Sequence, residues 1–242
     1  MQWIVGRSLF VLGTVAIAVI ATAFVARSAG EPVVVPLYVE RGPHGDVRLG
    51  IDVTIDDKKA RVLVDTGSVG LRVLASAGGT ATRRTGRSAG GAYGSGLMLH
   101  GVEARTPLAI GSARGDDVTI ELVDSFDCLP GRTCAVTNGG TPEMFGVLFP
   151  GIMGLRLRDA PRGDCCANPL PALAGGVGRS YIVHANVADP ALILNPDPGS
   201  VAKFTMVESA LGISRGCVRI PSAQPSEVCG EVLFDTGTRR WS

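Results

Sequence analysis

The tripeptide Asp-Thr-Gly occurs twice in this chain, and each copy stands at the end of a short apolar run and is followed by a hydroxyl residue. The copies are Asp65-Thr66-Gly67, between Val62-Leu63-Val64 and Ser68, and Asp235-Thr236-Gly237, between Val232-Leu233-Phe234 and Thr238. An apolar β-branched run that ends in Asp and Gly is typical of a strand entering a tight turn. The repeat predicts two matching strand-to-turn elements, 170 residues apart, that each present one carboxylate.

The pattern between the two copies favours an all-β fold. Glycine is frequent, with 33 residues, and the aromatic fraction is only 5%. Apolar and polar residues alternate over residues 46–55, which is the period of a half-buried strand. We predict further strands over residues 33–39, 60–64, 97–110, 118–123, 181–186 and 191–195, and the start of a second sheet over 201–207 and 217–220. Residues 231–234 then lead into the second motif.

Three stretches lack a strand pattern. Residues 78–91 are rich in Gly, Ser, Thr and Arg and are predicted as an exposed loop, in which Arg83, Arg84 and Arg87 form a solvated basic cluster. Residues 128–142 are predicted as a second loop, and residues 168–175 as one short helix.

The N-terminal residues, 1–30, have the features of a targeting segment. Arg7 precedes an uncharged apolar run, and Ala21-Thr22-Ala23 offers small residues for signal peptidase. The run also approaches the length of a membrane span, so a cleaved signal peptide and a membrane anchor both stay open. In either case we expect an exported chain, secreted or periplasmic, or anchored in the inner membrane. The net charge of +1 gives no electrostatic reason to expect a nucleic-acid partner.

Six cysteines are consistent with an oxidising compartment. We predict disulfides between Cys128 and Cys134 and between Cys217 and Cys229, each closing a short loop. The adjacent Cys165 and Cys166 have no evident partners, and their pairing stays open. No Cys-x-x-Cys pair occurs and the three histidines, His44, His100 and His184, are scattered, so we expect neither a metal nor a cofactor.

Two carboxylates brought close together carry a definite chemistry. At about 3 Å apart they cannot both ionise, so they share one proton. The ionised carboxylate can take a proton from water while the protonated one hydrogen-bonds a peptide carbonyl. The glycines allow the turn, and the hydroxyls of Ser68 and Thr238 can orient the carboxylates. Two ordinary turns are the alternative interpretation.

These motifs resemble those of the pepsin-like, bilobal aspartic peptidases. The resemblance covers roughly residues 35–238 and includes the order of further landmarks. Tyr93 and Gly94, in Tyr-Gly-Ser-Gly, resemble the flap that closes over substrate, and residues 151–155 resemble the hydrophobic segment behind the first catalytic strand. Many family members have Leu-Trp after the first motif, whereas this chain has Leu71-Arg72, as in an exported bacterial branch of the family with Asp-Thr-Gly-Ser-x-Gly-Leu-Arg.

The resemblance implies a double-lobed β-barrel fold with catalytic Asp65 and Asp235, supported by Thr66, Gly67, Ser68, Thr236, Gly237 and Thr238. It divides the chain into an N-terminal lobe, 31–185, and a partial C-terminal lobe, 186–242. A complete second lobe would need about 80 to 100 residues after its aspartate. Residues 239–242 do not resemble an apolar continuation, so we expect an incomplete second lobe.

The implied function is that of an aspartic-type endopeptidase acting on peptide or protein substrates. Two alternatives stay open beside it. One is an exported envelope or binding protein that keeps the fold without catalysis, as an incomplete second lobe would favour. The other is a homodimer that pairs two copies of the first motif, with an oligomeric state that the sequence does not determine.

Overall fold

The computed structural model describes residues 30–42, 45–156, 165–205, 207, 212–219 and 227–237, and it is mostly β-sheet, as predicted. The predicted targeting segment before Gly30, as well as His44, Thr238 and residues 239–242, lie outside this range. Within it the strands are β1 (Val33–Arg41), β2 (Val47–Ile55), β3 (Lys58–Asp65), β4 (Val69–Leu74), β5 (Arg83–Ala92), β6 (Leu97–Ile110), β7 (Ala113–Cys128), β8 (Gly151–Leu155), β9 (Tyr181–His184), β10 (Ala191–Leu194), β11 (Ile213–Arg219) and β12 (Glu227–Leu233).

Ten of these strands form one sheet in the order β5-β6-β7-β4-β8-β3-β2-β1-β10-β9. An additional pairing of β2 with β6 closes six of them into a ring. Inside that ring β8 lies between β3 and β4, parallel to β3 and antiparallel to β4. This arrangement places Asp65, the last residue of β3, opposite Gly154 in the middle of the barrel wall.

Two apolar clusters fill the space around this wall. The larger one takes its side chains from the inward face of β2 and from β1, β3, β4, β6, β7, β8 and β10. The smaller one contains Phe145, Phe149 and Ile152 and lies under Tyr93. The residues that alternate in β2, from Leu49 to Ile55, all belong to the larger cluster, which is the burial that their spacing predicts.

Three predictions about secondary structure are wrong. Residues 78–91 are not one loop, because β5 begins at Arg83 and pairs along β6. Residues 168–175 do not form one helix; prolines and glycines divide them into two 3₁₀ turns, Leu170–Ala172 and Ala174–Gly176. Residues 201–207 do not begin a sheet, because Val201 ends a short helix, α1 (Pro198–Val201), capped by Asp197, whose carboxylate accepts a hydrogen bond from Ser200 N at 2.9 Å.

The second sheet is a two-stranded hairpin of β11 and β12, and β12 leads directly to the second motif. Apolar side chains on this hairpin face solvent, and Phe234 is 75% exposed. Three further 3₁₀ turns occur in the described residues, at Ala75–Ala77, Thr137–Gly139 and Glu143–Phe145. Of the described residues, none belongs to a helix long and apolar enough to cross a membrane.

All six cysteines are described, and they form three disulfides. Cys128 pairs with Cys134 and Cys217 with Cys229, the two pairings expected from the sequence. Cys165 pairs with Cys166, which resolves the alternatives that the sequence left open. Three disulfides are typical of an exported protein, because the bonds persist in oxidising compartments.

Candidate active site

The two Asp-Thr-Gly motifs form turns of the same local design. At the end of β3, Asp65 Oδ1 accepts hydrogen bonds from the backbone N–H of Gly67 at 2.8 Å and of Ser68 at 3.2 Å. After β12, Asp235 Oδ1 accepts from the backbone N–H of Gly237 at 2.7 Å. Each turn therefore fixes one oxygen of its own aspartate and leaves the other oxygen for a different partner.

The glycines bring the two carboxylates together. A Cβ atom on Gly67 would lie 2.6 and 2.7 Å from the carboxylate oxygens of Asp235, and one on Gly237 would lie 2.6 and 2.9 Å from those of Asp65. Each carboxylate thus occupies the space above the glycine of the opposite motif. Any larger residue at Gly67 or Gly237 would displace the opposite carboxylate.

The two threonines exchange hydrogen bonds across the same junction. Thr66 Oγ1 accepts from Thr236 N at 3.0 Å, and Thr236 Oγ1 accepts from Thr66 N at 3.1 Å. Each hydroxyl also donates to the backbone before the opposite motif, Thr66 to the Phe234 carbonyl at 2.6 Å and Thr236 to the Val64 carbonyl at 2.8 Å. The four bonds relate the two motifs by an approximate two-fold axis.

Asp65 lies in a setting that favours its protonated form. Its side chain is almost fully buried, with 6% of the residue exposed. Burial raises the pKa of Asp65 to about 6, and the neighbouring Asp235 carboxylate adds to the rise, whereas the Ser68 hydroxyl and the Gly67 N–H oppose it. At mildly acidic pH Asp65 therefore holds a proton that an exposed aspartate would have lost.

A cleft of about 300 Å³ opens beside the two aspartates. Its lining includes Ser68, Tyr93 and Gly94, so the structure brings these predicted residues together with Asp65 and Asp235. The predicted Thr238 is outside the described residues. The cleft is thus bordered by both motifs on one side and by the turn that joins β5 to β6 on the other.

Tyr93 lies at this turn and points its hydroxyl into the protein. Its backbone N–H donates to the Leu97 carbonyl at 2.9 Å, and the Gly96 N–H donates back to the Tyr93 carbonyl at 2.9 Å. Burial raises the pKa of Tyr93 to about 12, although the Arg72 guanidinium beside it acts in the opposite direction. The hydroxyl therefore stays protonated over the whole acidic and neutral range.

No protein-family model and no curated protein sequence matches the chain.

Two arginines at the site were not predicted from the sequence to have a role. Arg72, noted only as a departure from Leu-Trp, lines the cleft and forms a buried ion pair with Glu121 at 2.9 Å. Arg48 donates to the carbonyl of Gly237 at 2.6 Å and is 1% exposed. The alternation in β2 predicts that Leu49 and Ile51 face the core and that Arg48 lies on the other face of the strand. From the sequence alone, a buried polar face cannot be distinguished from one that contacts solvent.

One group of potential metal ligands occurs in the described residues, Cys217, Glu227 and Cys229 on the β11–β12 hairpin. Both sulfurs are joined in a disulfide, which removes them as thiolate ligands. The basic cluster of Arg83, Arg84 and Arg87 is paired with carboxylates on β6 and β7; its partners are Asp117, Asp124 and Glu103.

Proposed function

We propose that this chain is an aspartic-type endopeptidase with a pepsin-like, double-lobed architecture. The observation that carries the proposal is the reciprocal junction of the two motifs. Each carboxylate lies over the opposite glycine, and each threonine binds the opposite backbone. Two ordinary turns would have no reason to form such a pair across 170 residues.

In the proposed reaction the two aspartates share one proton and act on a water molecule held between them. The ionised carboxylate removes a proton from the water as the water oxygen attacks the peptide carbonyl carbon. The protonated carboxylate donates a hydrogen bond to the carbonyl oxygen, and a proton then passes to the leaving nitrogen as the C–N bond breaks. Burial of Asp65 supports these two roles, one carboxylate ionised and one protonated, because it keeps one proton on the pair up to a pH of about 6.

An extended peptide is the substrate that the surroundings favour. The cleft runs beside both aspartates and under the turn that carries Tyr93 and Gly94. We propose that this turn acts as the flap and covers a bound peptide. The turn is the tip of the β5–β6 hairpin, and it lies over the cleft beside both aspartates.

Cleavage of an unfolded, fluorescently labelled protein tests the proposal. We expect hydrolysis at about pH 4 and its loss at about pH 8, because the raised pKa places the deprotonation of the pair near 6. D65N and D235N should each abolish cleavage. D116N is the matched control, since Asp116 is an exposed aspartate on β7, and it should cleave like the wild type.

The same assay separates the alternatives. If D65N abolishes cleavage while D235N retains it, and if activity falls with the square of the concentration on dilution, two copies of the first motif form the site. If the wild type binds unfolded peptide but never cleaves it, the chain is a non-catalytic exported binding protein.

A further inference from the structure

Arg48 is a charged side chain that is buried in the large sheet. It lies on β2 between Val47 and Leu49, and only 1% of it is exposed. Its side chain is directed away from the larger apolar cluster that contains Leu49 and Ile51. A guanidinium loses much of its hydration when it is buried, so such a position persists only where specific partners replace the water.

The partners of Arg48 join two distant parts of the chain. Its Nε lies 3.0 Å from Oδ2 of Asp46, the residue just before the same strand, and its Nη1 donates to the carbonyl of Gly237 at 2.6 Å. Asp46 is itself shielded from solvent. The Asp46 carboxylate thus balances the charge of the guanidinium, and the hydrogen bond from Nη1 connects Arg48 to the second motif.

The second motif has few other attachments among the described residues. The strand that leads to it, β12, pairs there only with β11, and the Phe234 side chain just before Asp235 is 75% exposed. The motif is held to the rest of the molecule by the Thr66–Thr236 exchange and by Arg48. The threonines fix the two turns to each other, whereas Arg48 fixes the second turn to the barrel wall.

We propose that Arg48 is a positioning residue that holds the Asp235 turn against the Asp65 turn and so assembles the aspartate pair. This inference rests on the proposed function for its catalytic meaning. Arg48 acts through the Gly237 carbonyl, two residues beyond the aspartate that it positions.

The direction in which the pKa of Asp65 changes on replacing Arg48 distinguishes positioning from a direct charge effect. Among the described residues, the charged or titratable groups around Asp65 are Asp235, Tyr93 and the cleft residues Arg72 and Arg156. Removing a cation that acted directly on the Asp65 carboxylate would raise the pKa of Asp65. Releasing the Asp235 turn would instead lower it, because Asp65 would gain water and lose its anionic neighbour.

The experiment is a carboxyl-carbon NMR titration of Asp65 in the full-length chain, in the wild type, R48M, D235N and the double variant R48M/D235N. We expect R48M and D235N each to lower the pKa of Asp65, and the double variant to lower it no further than R48M alone, because a released turn no longer places residue 235 beside Asp65. R61M is the matched control, because Arg61 is a half-exposed arginine on β3 paired with Asp52 and Glu40. It should leave the Asp65 titration unchanged.

R48K covers the case in which R48M does not fold, since lysine keeps the charge but loses the planar donor geometry. It too should lower the pKa of Asp65. If R48M or R48K has the dispersed NMR spectrum of a folded protein and the pKa of Asp65 is unchanged or raised, the proposal is overturned. It is also overturned if the pKa changes caused by R48M and D235N add in the double variant.

The rate at which each variant cleaves the unfolded protein substrate tests whether this positioning matters for catalysis. R48M should cleave about 100-fold more slowly than the wild type, a loss typical of a misplaced catalytic group. If the wild type does not cleave at all, the proposed function fails, while the NMR titration still decides whether Arg48 positions the Asp235 turn.

Discussion

Arg72, on β4 beside the cleft, joins its own strand to two other segments of the chain. Its Nε donates to Glu121 Oε2 at 2.9 Å, its Nη2 donates to the Cys165 carbonyl at 2.9 Å, and its Nη1 donates to the Val69 carbonyl. Glu121 is fully buried on β7, the strand parallel to β4. The charge of Glu121 is therefore held inside the protein next to the cation that balances it.

Replacing Arg72 by methionine should lower the free energy of unfolding by about 3 kcal/mol, because it leaves the buried Glu121 carboxylate without its cation. The double variant R72M/E121M should recover most of that loss, since an apolar pair can replace a buried ion pair. Urea unfolding at neutral pH measures both. Equal losses in the single and double variants would contradict the assigned ion pair.

Among single residues, the sequence indicates the aspartates, glycines and threonines of the motifs but not the arginines. Asp65 and Asp235 are found by a repeated tripeptide, which is a local signal. Arg48 donates to Gly237, 189 residues away, and Arg72 pairs with Glu121, 49 residues away, and no local pattern reports such contacts.

Between elements, the junction of the two motifs depends on two threonine side chains rather than on strand pairing. Each Oγ1 accepts from one backbone N–H and donates to one backbone carbonyl. A valine has nearly the same shape but cannot form either bond, so the opposite N–H would be left without its partner.

T236V should lower the free energy of unfolding by about 2 kcal/mol, whereas T236S, which keeps the hydroxyl, should lose much less. The double variant T66V/T236V should lose less than the sum of the two single variants, because the four bonds belong to one junction. Thermal unfolding monitored by circular dichroism tests this. Additive losses would show that the two threonines do not contact each other.

The strand β5 shows why one element could not be predicted. Its residues are almost all exposed and have no apolar period, so the sequence favours a loop. Its partner β6 supplies the backbone hydrogen bonds, and Arg84 pairs with Asp124 on β7. By contrast, the sequence predicts β2 well, because one face of that strand is buried along most of its length.

For the molecule as a whole, Asp65 links folding stability to pH. Its pKa is raised from 3.8 to about 6 in the folded chain, so the native state binds a proton between these values that the unfolded state releases. Stability from this group is fully present below about pH 3.8 and is lost as pH rises through about 6.

D65N should therefore change the pH dependence of unfolding. The free energy of unfolding of D65N minus that of the wild type should rise by about 3 kcal/mol from pH 3 to pH 8, because asparagine stays neutral throughout. Chemical unfolding at several pH values gives the difference, with D116N as the control. A constant difference between D65N and the wild type would contradict a raised pKa.

The all-β class and most strands of the large sheet could be predicted, because buried strands repeat every second residue. The closure of the sheet could not, since the pairing of β2 with β6 joins residues far apart in the chain. Closure nevertheless matters for function, because it fixes β3 and β8 around Asp65.

The most direct test of the central claim, that the two motifs of one chain form a single aspartate pair, is the pKa of Asp65 measured by NMR in the wild type and in D235N. We predict a pKa of about 6 in the wild type, and in D235N a lower pKa that stays above 3.8 because burial remains. The same pKa in both proteins would show that Asp235 does not face Asp65, and the proposed pair would be wrong.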